Sequence, residues 1–115
     1  MKFILLINSI EQAEAQRSEA EMKQVVGQHM KVGQELRAAG KMVAAERLRP
    51  QAEATRVRLK AGQHQLTDGP FAETKEVCGG FYLIDCASKA EAVDWASKFP
   101  IGEGGYIEVR PVWEM

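Results

Sequence analysis

Gly79-Gly80-Phe81-Tyr82-Leu83-Ile84 is a short run with apolar residues at both odd and even positions, the pattern of a strand that has cover above and below and neighbours on both edges. It reads as a central strand, and the rest of the chain arranges itself around it. Downstream, Ser88 and Glu91 stand in the S-x-x-E spacing of a capping box, and Ala92, Trp95, Ala96 and Phe99 recur at three- and four-residue steps as the buried stripe of a helix. Pro100 ends that helix, because the residue before a proline is pushed out of the α region. Past Gly102-Glu103-Gly104-Gly105, the run Tyr106-Ile107-Glu108-Val109-Arg110 alternates like a final strand.

Upstream, Thr67 to Glu76 is a loop rich in turn formers, and Ala54 to Leu66 reads as a hairpin. In it Thr55, Val57 and Leu59 alternate with Arg56, Arg58 and Lys60, giving one wet, basic face, and Ala61-Gly62-Gln63-His64 turns the chain. Met42 to Ala45 is a strand that Arg49-Pro50 breaks. Before it lies a long helix, capped by Ser18 and Glu21 and stopped at Gly40, with an apolar stripe of Met22, Val25, Val26, Met30, Gly33 and Leu36. A polar stretch, Glu11 to Arg17, separates that helix from Phe3-Ile4-Leu5-Leu6-Ile7, a second nearly unbroken apolar run ended by Asn8-Ser9.

The order is therefore β-α-β, an inserted β-hairpin, then β-α-β, which is the ferredoxin-like plan of an α+β fold. Both helices are expected on one sheet face. Nothing in the chain is left to cover the other face, and pairing two such sheets solves that problem, so a homodimer is expected, with a higher oligomer also compatible. At 115 residues one domain spanning 1–115 is the expectation, and a chain of this size buries only about two thirds of its unfolded surface, which adds to the gain from a partner.

Fifteen Lys and Arg against sixteen Asp and Glu give a net charge of −1. Nucleic acid and anionic membranes need a basic surface that this balance does not supply. The apolar start is shorter than the roughly 7–15 residues of a signal-peptide core and no small-residue cleavage site follows, and no stretch approaches the roughly 18 apolar residues of a membrane span. A cytoplasmic protein is expected. Its two cysteines, Cys78 and Cys86, bracket one strand and would stand about 26 Å apart, too far for a disulfide. Both read as buried small apolar side chains rather than reactive thiols.

C-x-x-C, H-E-x-x-H and G-x-S-x-G are absent, and the Gly102–Gly105 cluster fails G-x-G-x-x-G because Ile107 holds the last position. Zinc, nucleotide and acyl-enzyme chemistry thus have no support in the sequence, and no cofactor or metal is expected. What remains is Thr67-Asp68-Gly69-Pro70-Phe71-Ala72-Glu73-Thr74-Lys75-Glu76, running through Val77 and Cys78 into the Gly79 strand. Over Thr67 to Asp85 the chain resembles the DGPF family of the YCII-related proteins. Arg49-Pro50, Thr55-Arg56-Val57-Arg58, Leu36 to Gly40 and Glu108-Val109-Arg110-Pro111 extend the likeness over most of the chain. The resemblance implies a dimeric α/β-barrel, and it implies little chemistry. The wider YCII-related group looks like small enzymes built around a His and Asp pair in a cleft, and DGPF members look to be associated with extracytoplasmic-function sigma factors.

Asp68-Gly69-Pro70 is first of all a turn: Asp accepts local backbone hydrogen bonds, Gly permits unusual φ and Pro fixes it. The sharper reading has that turn hold Asp68 and Glu73 at the mouth of a sheet cleft as catalytic general acid and base, or as hard-metal ligands. Lys75 belongs either to a solvated loop or to the binding of an anionic substrate. His29 falls on the helix stripe, where a hydrogen-bonded core or cleft-lining role competes with a catalytic one, and it is expected behind the sheet. Arg58 reads as a dimer-interface ion-pair partner or a carboxylate binder. Tyr82 reads as core with its hydroxyl capped or as pocket lining. Two functions follow: binding or transformation of a small polar molecule in a cleft near the Asp68 turn, or a non-enzymatic dimeric module that binds a protein partner.

Overall fold

The computed structural model describes residues 1–71 and 75–114. The elements are β1 (Lys2–Ile10), α1 (Glu11–Ala15), α2 (Glu19–Ala38), β2 (Met42–Arg47), a 3₁₀ turn (Gln51–Glu53), β3 (Thr55–Lys60), β4 (Gln63–Asp68), β5 (Glu76–Asp85), α3 (Lys89–Ala96) and β6 (Tyr106–Pro111). Four strands form one sheet in the order β2-β5-β1-β6, every neighbouring pair antiparallel, and β3 with β4 forms a separate two-stranded sheet. This is the ferredoxin-like α+β arrangement with the hairpin inserted between its halves. The two unbroken apolar runs are its centre, β1 beside β5, as strands with neighbours on both edges require.

The register sorts the faces. Phe3 pairs with Ile84, Leu5 with Tyr82 and Val109, and Ile7 with Ile107. Phe3, Leu5 and Ile84 are fully buried under Val32 and Leu36 of α2, Ala92 and Ala96 of α3, and Phe99 just beyond it. The alternate positions, Ile4, Leu6, Phe81 and Leu83, point to the other face and are half-buried.

Both long helices start as their sequences require. Ser18 Oγ accepts from the Glu21 N–H at 3.1 Å, and Ser88 Oγ from the Glu91 N–H at 3.2 Å, satisfying one of the donors that a helix start leaves free. The end of α2 is a Schellman motif: Gly40 has φ +71°, its N–H donates to Arg37 O, and the Lys41 N–H donates to Leu36 O. A short helix, α1, occupies part of the stretch that looked merely polar.

Four expectations are corrected. The buried side of α2 is Val32, Gly33 and Leu36, with Met22, Val25 and His29 half-buried, whereas Val26 is 37% and Met30 60% exposed. The true stripe steps through 22, 25, 29, 32 and 36, which keeps His29 on it and turns Val26 and Met30 off it. Cys78 is exposed and only Cys86 is buried, both as free thiols. The hairpin turn is the pair Ala61-Gly62, with φ of +52° and +79°, as a two-residue type I′ turn demands, and His64 lies within β4 opposite Leu59 rather than at the tip. The loop before β5 is shorter than expected, since β4 runs to Asp68.

The apolar side chains of the hairpin stand out in solvent: Val57, Leu59 and Leu66 are 64%, 71% and 70% exposed. The arm lifts the radius of gyration to 16.0 Å, against about 13 Å for a compact chain of this length.

Candidate functional site

A β-bulge sets the geometry at one end of the sheet. Ile7 pairs with Gly80 but Asn8 pairs with Cys78, so Gly79 is the extra residue and β1 is re-aimed over its last three positions. Gly80 is small of necessity, since a Cβ there would lie 2.7 Å from the Glu46 carbonyl oxygen. Beyond the bulge, Asn8 and Ser9 line a cleft whose other walls come from Glu14 of α1, Arg17 before α2, Val25 and His29 of α2, Pro100 to Gly102 after α3, and Tyr106 and Ile107 of β6. Tyr106 Oη donates a 3.0 Å hydrogen bond to Glu76 Oε2 at the same end, linking β6 to the start of β5 across β1.

His29 and Tyr82 meet beside this cleft, on the helix-covered face of the sheet. Their Nδ1 and Oη are 3.0 Å apart, the rings are nearly parallel (5°) with centroids 6.0 Å apart, and Phe99 packs on both, at 5.2 Å from His29 and 4.4 Å from Tyr82. Burial lowers the pKa of His29 below its ordinary 6.5, the positive charges of Arg47 and Arg17 lower it further, and Glu14 offsets part of this. Burial likewise raises the Tyr82 phenol above 10.0, against a smaller opposite pull from Arg37. Both groups are therefore uncharged at neutral pH, and the imidazole carries one donor and one acceptor nitrogen. A neutral imidazole beside a polar cleft has the equipment of a general acid or base.

Arg17 is held at the rim with its side chain 20% exposed, in a long 3.9 Å ion pair with Glu14. Gly102 makes room for it: a Cβ at that position would lie 2.7 Å from a guanidinium nitrogen. Ser9 Oγ is buried without a hydrogen-bond partner, which is uncommon for a polar atom in a folded protein.

Comparison with known proteins identifies the lineage. The profile described as the YCII-related domain matches residues 1–115. The chain belongs to the YCII-related family. It is also similar to an uncharacterised protein of Rhizobium meliloti (strain 1021), 51% identical over 77 residues, which is 64% of this chain and 61% of that protein. The matched region thus spans about three fifths of the relative's length.

In this YCII-related chain the residues that the sequence singled out fall into two groups. His29 and Tyr82 are brought together as described. Asp68, the last residue of β4, is exposed and accepts a 2.8 Å hydrogen bond from Thr55 Oγ1. Arg58 lies on β3 opposite Gln65, exposed on the projecting hairpin. Lys75 is exposed immediately before β5, and Glu73 lies outside the described residues. The turn after Asp68 is tightly seated: Gly69 N–H donates to Ala54 O at 2.8 Å, the Gly69–Pro70 peptide is cis, and buried Phe71 lies under the Arg56 guanidinium, 3.6 Å from its centroid. The chain from this turn returns to Glu76, opposite Ile10, which is the end of the sheet that carries the cleft. Among the described residues no cluster of three or more His, Cys, Asp or Glu could hold a metal ion, and no helix is long and apolar enough to cross a membrane.

Asn8, Ser9, Arg17 and Gly102 were not singled out by the sequence. The only local signal was that Asn8-Ser9 interrupts an apolar strand.

Proposed function

We propose that this YCII-related chain binds, and acts on, a small polar molecule at the His29–Tyr82 end of its sheet. The observation that carries the reading is a neutral imidazole hydrogen-bonded to a neutral phenol beside a polar cleft lined by Asn8, Ser9 and Arg17, with the Ser9 hydroxyl buried and unpartnered behind its wall. Buried polar groups without partners are costly in a structural role and useful in a binding one. In this reading His29 moves the proton, Tyr82 fixes the ring's tautomer, and Asp68, Glu73, Lys75 and Arg58 are assigned to the same substrate. The DGPF resemblance of Thr67 to Asp85 supports including the Asp68 turn.

The molecule works as a homodimer in this proposal, and two observations favour it. Ile4, Leu6, Phe81 and Leu83 form an apolar patch on the face that α2 and α3 leave open, and the hairpin presents Val57, Leu59 and Leu66 to solvent, although an isolated two-stranded hairpin is at best marginal in water. The same exposed arm favours a second reading, a non-enzymatic interaction module of a sigma-factor system. Two free thiols fit a reducing, cytoplasmic setting.

The test is a screen of small polar molecules against the wild type, His29→Gln and Tyr82→Phe, read by the imidazole NMR signals of His29 and by thermal shift. Binding that perturbs His29 in the wild type and disappears in His29→Gln supports the reading. Ligands that bind without any effect at His29, or that bind the variants equally well, overturn it.

A further inference from the structure

We propose that the cleft at the end of β1 is a carboxylate subsite, in which Arg17 receives the anionic end of a short-chain organic acid. The inference rests on the use of this cleft as the binding site and names the class of molecule it takes. The guanidinium of Arg17 brings five N–H donors in a planar fork that matches a carboxylate, yet its ion pair with Glu14 is 3.9 Å long, well beyond a charge-assisted hydrogen bond. A positive group mostly withdrawn from water and loosely paired is prepared for a second anion. Ser9 lines the same cleft, with its Oγ buried behind the surface and unpartnered.

The remaining surroundings fit a carboxylate carried on a small apolar stem. Ile7, Val25, Ile101 and Ile107 form greasy walls beside Arg17 and Glu14, and with the Glu14 carboxylate already near the guanidinium a doubly charged phosphate is repelled more strongly than a single carboxylate. The cavity is about 40 Å³, where a single water needs roughly 10–15 Å³ by the same measure. It therefore admits a single small headgroup, with the remainder of the acid passing out of the mouth along His29. Gly102 fits the same purpose, since any larger residue would press on the guanidinium.

The experiment titrates acetate, acetamide and inorganic phosphate separately into the full chain while following the His29 imidazole signals. Acetate is expected to give a saturable shift, acetamide none, and phosphate a weaker one. Arg17→Gln is expected to weaken acetate by roughly tenfold or more. Gly102→Ala is the second variant: its new methyl meets only the flexible end of Arg17, so the fold survives while the fork is displaced and acetate binding falls. Equal binding of acetate by the wild type and both folded variants overturns the assignment, as does phosphate binding more tightly than acetate. A shift by acetamide but not acetate overturns the anion subsite and leaves the cleft as a neutral-ligand site. No response of His29 to any of the three overturns the subsite, and if the wider screen is also silent, the cleft reading falls with it.

Discussion

Thr55 Oγ1 donates a 2.8 Å hydrogen bond to Asp68 Oδ1 across the pair of residues that closes the base of the hairpin. The carboxylate thus has a structural duty at Oδ1, and an amide oxygen can perform it equally well. Asp68→Asn is expected to stay within about 0.5 kcal/mol of the wild type, whereas Asp68→Ala loses the acceptor and costs on the order of 1 kcal/mol. Urea denaturation of both variants measures this. If Asp68 also serves a ligand through its charge, the Asn variant separates the two duties, folding normally while binding is lost.

Gly69 sits where no other residue fits. A Cβ built there runs into the Gln51 carbonyl, and the 3₁₀ turn that carries that carbonyl is held in place by the Gly69 N–H bond to Ala54 O. Backbone cannot step aside as a flexible side chain can, so Gly69→Ala is expected to cost about 1–3 kcal/mol. For a chain of this size that lowers Tm by roughly 4 °C per kcal/mol, readable in a thermal melt. An unchanged melting temperature means that the turn is not packed against Gln51 in solution.

The orientation of α2 is tested by two truncations on one helix. Leu36 is fully buried between α2 and the sheet, and Leu36→Ala is expected to cost about 2–5 kcal/mol. Met30, 60% exposed, is expected to lose no more than about 0.5 kcal/mol as Met30→Ala. Equal losses at the two positions sink the assigned helix face.

Much of this fold was legible because its determinants are local. Ser18 with Glu21 and Ser88 with Glu91 announce their helix starts within four residues, Gly40 announces a stop, and Phe3 to Ile7 and Gly79 to Ile84 show by unbroken apolarity that they are the inner strands. The facing of α2 was harder, because Val26 and Met30 are as apolar as Val25 and Val32, and only packing against Leu5 and Tyr82 decides between the two stripes. Helix α1 gave no signal, as none of its residues is fully buried and its N-cap residue, Ile10, makes no side-chain cap. The cleft was least legible. Ser9, Arg17, His29 and Gly102 come from four separate segments, and they converge through a sheet register and a bulge that no single segment encodes.

The most direct consequence of the His29 environment is a pH dependence of folding. Burial, Arg47 and Arg17 hold its folded pKa below 6.5, so between that value and 6.5 the unfolded chain binds more protons than the folded one. Stability therefore rises with pH across this window, and it is lost as pH falls below 6.5 through the folded pKa. Glu91, whose carboxyl is lowered chiefly by its hydrogen bond from Lys41, contributes with the same sign but only below its ordinary 4.5, which separates the two effects. The wild type is expected to lose more urea resistance between pH 8 and pH 5 than His29→Gln, whose amide keeps a partner for Tyr82 and titrates nowhere in that range. Tyr82→Phe is expected to keep the wild-type slope, because burial is the leading cause of the His29 shift, and to be weaker by about 1 kcal/mol at every pH for the lost hydrogen bond. Parallel curves for the wild type and His29→Gln mean that the imidazole is solvated and that the site lacks the low-dielectric surroundings on which its proposed proton transfer depends.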